Sequence, residues 1–166
     1  MNFQRIAKHL FTGDRAVRRA FPAAALRAIE AAILASETGH DGEIRFAVET
    51  TLDTLSLFKN ITARERAIDV FSRLRVWDTE RNNGVLIYLL LADRDVEIVA
   101  DRGIHAKVGS EGWEKICRNM EGYFRKGEFE AGVVAGIQAI SGHLQREFPT
   151  ARRGGENELA DRPVVL

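Results

Sequence analysis

The apolar positions of this chain change period several times, and each change marks an element. From Ala23 to Ser36, the residues Ala25, Leu26, Ile29, Ile33 and Leu34 recur every three or four positions, which predicts an amphipathic helix. Thr38 and Gly39 stop it. After a turn at His40, Asp41 and Gly42 the period drops to two. Ile44, Phe46 and Val48 then share one face between Glu43 and Glu49, the pattern of a strand. Residues 50–60 read as a loop. Thr62 with Glu65 three positions later is a capping box, in which hydroxyl and carboxylate each satisfy a backbone N–H that the helix leaves unpaired. Ala67, Ile68, Phe71 and Leu74 form the expected buried stripe of that helix. Val85 to Leu91 is apolar throughout, as in a strand covered on both faces. Ala92 to Asp95 turn the chain back into a partner strand from Val96 to Ala100, a hairpin. Two further helices are predicted near residues 112–125, on Trp113, Ile116, Met120 and Phe124, and near 128–147, on Val133, Val134, Ile137, Ile140 and Leu144.

Strand, helix, strand implies a right-handed parallel crossover, and the hairpin makes the sheet mixed. With helices before, between and after, the expected fold is α/β, a three-layer α/β/α sandwich around a small mixed sheet. Residues 1–20 read as a basic helical arm carrying Arg5, Lys8, Arg15, Arg18 and Arg19. In that arm Asp14 is placed to cap a short helix, and Phe3, Ile6 and Leu10 to pack on the body or on a partner. Residues 21–147 form the domain. Residues 148–166 read as a flexible tail or an edge-packing extension ending in Pro163, Val164, Val165 and Leu166.

Composition narrows the function classes. In 166 residues, 24 Lys and Arg balance 24 Asp and Glu, so charge gives no general reason to bind nucleic acid. Cys117 is the single cysteine, which excludes an internal disulfide, and a buried inert thiol is expected there. The longest apolar run, Val85 to Ala92, is far short of the roughly twenty residues of a membrane span. The amino-terminal stretch has no apolar export segment, so a cytoplasmic location is expected, membrane-peripheral if the arm docks there.

The topology brings three polar connections to one border of the sheet: the entry to the first strand, the entry to the second and the exit from the third. They contain His40, Asp41 and Glu43; Asp78, Asn82, Asn83 and Gly84; and Asp101, Arg102, Gly103 and His105. Carboxylates and amide carbonyls in such density suit a hard divalent cation such as calcium, with Asp78, Asn83, Asp101 and Glu43 as candidate ligands. Arg102 adds a fork that can grip a phosphoryl group. The same residue types also serve turns and caps, so both readings stand at this stage. Trp77 and Trp113 read as core anchors, and Gly132 to Gly136 as a close-packing helix stripe.

Leu74 to Asp78, Asn82 to Tyr88, Ala92 to Ile98, Ala100 to Ile104 and Tyr123 to Phe129, with Gly132 and Gly136 to Ile140, together resemble the TPM domain family across about residues 20–147. The family is named for thylakoid proteins and an animal receptor modulator. The resemblance implies an α/β/α sandwich and a divalent-cation-binding interaction or assembly module tied to membrane protein complexes. It implies, as the alternative, a metal-assisted acid phosphatase acting on phosphorylated small molecules or proteins, as one chloroplast relative is described. By position, the family's acidic residue before the Asn-Gly turn falls on Asp78, the turn on Asn83 and Gly84, and the loop after the third strand on Asp101, Arg102 and Gly103.

Overall fold

The computed structural model describes residues 3–150 and 157–166. Helices α1 (Phe3–Phe11), α2 (Asp14–Ala20) and α3 (Ala23–Glu37) lead into strand β1 (Glu43–Glu49). Short α4 (Thr54–Phe58) and α5 (Ala63–Arg73) cross to β2 (Gly84–Leu90), which turns into β3 (Asp95–Ala100). Helices α6 (Arg102–Arg125) and α7 (Phe129–Glu147) follow, and Val164–Val165 forms β4. The sheet order is β3-β2-β1-β4. β1 and β2 run parallel from Glu43↔Gly84 to Glu49↔Leu90, and β2 and β3 antiparallel from Val85↔Ala100 to Leu90↔Asp95. The α/β/α sandwich expected from the sequence is therefore the fold, with one strand more than the periodicity announced.

Two apolar cores lie on the two faces of this sheet. On one face, Ile44, Phe46, Val48, Val85, Ile87 and Leu89 meet α3, α6 and α7 through Ile29, Ile33, Met120, Phe124, Ile137 and Leu144. On the other, Ala47, Leu86, Tyr88 and Leu90 meet α4 and α5 through Leu57, Ala63, Ala67 and Val70. All seven residues of β2 are buried, which explains the uninterrupted apolar run: neither face of this strand sees water. Gly132 and Gly136 do pack closely, since a Cβ on either would collide with Phe124 or Met120 of α6. No helix among the described residues is long and apolar enough to cross a membrane.

Several local expectations are corrected. α4 lies inside the segment read as a loop, capped by Asp53, which accepts the Ser56 N–H at 3.0 Å. α6 begins ten residues before the period in the sequence shows it, because Gly103, Gly109 and Gly112 interrupt the apolar repeat; it breaks at Gly109 (φ 73°). On α5, Val70 is buried and Ile68 is half-exposed, so the stripe is rotated from the expected one. Trp77 is 48% exposed and lies under the Arg75 guanidinium rather than in the core, whereas Trp113 is buried. The arm turns His9 inward, not Leu10: His9 Nδ1 accepts the Leu52 N–H at 3.0 Å and Arg5 pairs with Asp93 at 2.8 Å, while Leu10 is exposed. The side chains of Phe3 and Asp14 lie outside the described residues.

Of the two readings of the tail, edge packing holds for its last residues. β4 pairs parallel with β1 (Ala47↔Val164, Val48↔Val165), and the Leu166 N–H donates to the Val48 carbonyl at 2.9 Å.

Candidate functional site

Three connections meet at the border where β1 and β2 begin and β3 ends. The backbone ties them. Asp101 N–H donates to Gly84 O at 2.9 Å, Ile104 N–H to Asn82 O at 3.2 Å, and the Asn83 side-chain amide to Asp41 O at 2.9 Å. Two glycines make this approach sterically possible. A Cβ on Gly84 would overlap the Val76 carbonyl oxygen, and one on Gly103 would sit 2.5 Å from the Asn82 carbonyl oxygen. Arg81 pairs with Asp41 at 2.8 Å, and Arg102 Nε donates to Asn82 Oδ1 at 3.2 Å.

Asn83 and Asp101 stand out chemically. Asn83 is 0% exposed; its N–H donates to Thr79 Oγ1, its amide NH₂ is used by Asp41, and its Oδ1 has no donor. Asp101 caps α6, accepting the Arg102 N–H on Oδ1 at 2.6 Å, while its Oδ2 is buried with no donor. The two oxygens belong to residues next to and within the hydrogen-bonded pair Gly84 and Asp101. A buried acceptor without a donor loses the full free energy of its hydration, roughly 1–3 kcal/mol, unless something else satisfies it. A water or an oxygen-seeking cation is the kind of group that satisfies such an acceptor.

The other sequence candidates go elsewhere. Asp78 lies on the connection into β2, about half exposed, with its carboxylate on Arg75 at 2.9 Å. Glu43 is buried and turns toward the tail, accepting the N–H groups of Glu158 and Leu159 at 3.1 and 3.3 Å. There it joins Glu37 and Asp161, whose ligand-type oxygens lie within 4.8 Å of one another and of Glu43. Burial, then the Glu43 charge, pushes the Glu37 carboxyl up to about 8, so it carries a proton at neutral pH. Burial likewise raises Glu43 and lowers the neighbouring Arg45 guanidinium. Glu37 at a helix end and Asp161 in a polar tail gave no signal in the sequence, because only the return of the tail to β1 brings them together. His40 is buried and bridged to Pro149, with burial pushing its imidazole down. His105 faces instead a groove between β3 and α6. Burial pushes the Cys117 thiol up to about 12, the inert state expected for it.

A second polar cluster occupies the opposite end of β1. Glu49 accepts two hydrogen bonds from Arg66, at 2.8 and 2.9 Å, and one from the Tyr88 hydroxyl at 2.6 Å. Every strong group there is satisfied, so this network holds α5 to the sheet.

The comparisons with known proteins bear on the border. The chain is similar to the BA42 protein of the psychrophilic bacterium Bizionia argentinensis, whose NMR structure superposes with a TM-score of 0.76 at 31% identity, covering 87% of this chain and 94% of that one. It shares its fold with the N-terminal domain of a P. gingivalis protein, at a TM-score of 0.58 and 18% identity over 74% of this chain and 76% of that one. No curated protein matches it. The TPM domain profile matches residues 18–143, which take in β1, β2, β3 and all three border connections; the chain belongs to the TPM domain family.

Proposed function

We propose that this domain binds a divalent cation at the border of its sheet and works as an interaction or assembly module of membrane protein complexes. One observation carries the cation reading: Asn83 Oδ1 and Asp101 Oδ2, on adjoining connections, are both buried and both lack a donor. Calcium is the favoured ion, because it accepts mixed carboxylate, amide and backbone oxygens without strict geometry. Asp41 lies on the same border, its backbone carbonyl accepting the Asn83 amide. The tie to membrane complexes rests on the family resemblance alone.

Calorimetric titration with calcium tests the cation reading. Heat with a Kd in the micromolar to millimolar range is expected, weakened about tenfold or more in Asp101→Asn. Asp78→Ala is expected to leave it within about twofold, since that carboxylate is already paired with Arg75. No heat in the wild-type protein, or equal heat in Asp101→Asn, would remove the reading. The same variant separates the alternative activity: calcium-dependent hydrolysis of a phosphomonoester that disappears in Asp101→Asn would make the domain a phosphatase.

A further inference from the structure

The carboxy-terminal tail returns to β1 and is fastened there in two places. Val164 and Val165 pair with Ala47 and Val48, and the Leu166 N–H donates to the Val48 carbonyl at 2.9 Å. Upstream, the N–H groups of Glu158 and Leu159 donate to Glu43, and the Glu80 N–H donates to Glu158 at 2.8 Å. Leu159 and Val164 also pack against the core on the α5 side of the sheet. A ladder two residues long has little stability of its own, so the contacts around Glu43 decide whether the tail stays.

Those contacts crowd like charges. Asp161 of the tail comes to Glu37 at the end of α3 and Glu43 at the start of β1, with oxygens of all three within 4.8 Å of one another. Glu158 adds its charge beside Glu43. The cation that faces Glu43 and Asp161 is Arg45, which is 8% exposed and whose Nε and Nη1 have no acceptor. The turn that joins α3 to β1 meets the neutral Leu144 and Gln145 of α7. One guanidinium does not balance three carboxylates withdrawn from water. The arrangement holds while Glu37 is neutral: its O–H is then placed to donate to Asp161, and its Oε1 accepts the Ile44 N–H at 3.2 Å. An ionised Glu37 has no proton to donate and repels both Glu43 and Asp161.

We propose that the tail is a strap worked by this cluster, docked along β1 while Glu37 is neutral and released when it ionises, which uncovers the outer edge of β1 at Ala47 and Val48. The sign follows from the direction of the shift. Burial first, then Glu43 and Asp161, raise the Glu37 carboxyl from 4.5 to about 8. Docking is therefore strongest below the ordinary value, weakens as pH rises toward about 8, and weakens no further above it. Burial raises Glu43 too, and its ionisation acts in the same direction. The strap is independent of the cation reading, whose oxygens belong to Asn83 and Asp101.

Amide hydrogen exchange of the ¹⁵N-labelled full-length protein, in buffer free of divalent cations, tests the strap. Protection factors divide out the intrinsic base catalysis of exchange. Those of Leu159 and Leu166 are expected to fall together, about tenfold or more between about pH 5 and about pH 8.5, and to stay below those of Ile87 and Val99 at every pH. In Glu37→Gln the two factors are expected to hold within about twofold over the same range, and in Asp161→Asn the fall shrinks. Four results would overturn the proposal. The tail amides keep their protection as pH rises; Leu159 loses it and Leu166 does not; the fall is the same size in Glu37→Gln; or the tail amides match Ile87 and Val99 throughout, which would mean that the tail leaves only when the whole fold opens.

Discussion

A carboxylate at a helix end is ordinarily solvated; Glu37 is instead pressed against Glu43 and Asp161 and holds its proton to about pH 8. Its folded-state value is raised above the ordinary 4.5, so its contribution to stability is complete below that value and is lost as pH rises through about 8. Urea unfolding from about pH 5 to about pH 8 is expected to show the wild type losing roughly 1–2 kcal/mol relative to Glu37→Gln, which has no proton to lose there. Identical pH profiles would mean that the three carboxylates do not crowd one another in solution. Glu49 is the opposite case, a buried carboxylate fully paired by Arg66 and Tyr88. Arg66→Ala leaves that charge without its main partner and is expected to cost about 3 kcal/mol in the same measurement; a cost below about 1 kcal/mol would show water replacing the guanidinium.

Among the elements, the strand connections carry the tightest steric demand. Gly84 opens β2 against the Val76 carbonyl, and Gly103 opens α6 against the Asn82 carbonyl. Both neighbours are backbone and cannot swing aside, so Gly84→Ala and Gly103→Ala are each expected to destabilise the fold by about 1–3 kcal/mol. Calcium affinity is expected to fall with them, because the same contacts hold Asn83 and Asp101 together; thermal melting and calorimetry on the two variants check both effects. The elements also show what sequence periodicity reveals. β1, β3, α3, α5 and α7 were legible from apolar positions recurring at a regular spacing, and β2 from its uninterrupted apolar run, which is buried on both faces. The start of α6 was hidden by its glycines, and α4 by its length of five residues. β4 is two residues long and is held by pairing with β1 rather than by any repeat of its own, so no local pattern announced it.

For the whole molecule, topology did more than motifs to locate the candidate site. Counting strand directions was enough to bring the three polar connections to one border, and the hydrogen bonds among Asp41, Asn82, Asn83, Gly84 and Asp101 join them there. Side-chain direction was not legible in the same way. Asp78 and Glu43 sit on the right connections, yet one turns to Arg75 and the other to the returning tail. That tail makes a further prediction. Deleting residues 164–166 removes the pairing on β1 and is expected to speed amide exchange along β1, while the β2–β3 hairpin keeps its protection. Equal protection of β1 in the shortened chain would contradict a bracing role for β4.

The most direct measurement is paramagnetic broadening in ¹⁵N-labelled protein on adding manganese as a calcium surrogate below one equivalent. The account predicts broadening centred on the Asn83 side-chain amide and the backbone amides of Asp101 and Arg102, reversed by excess calcium. Broadening centred on Glu37 and Asp161, or spread over the surface with no focus, would contradict it.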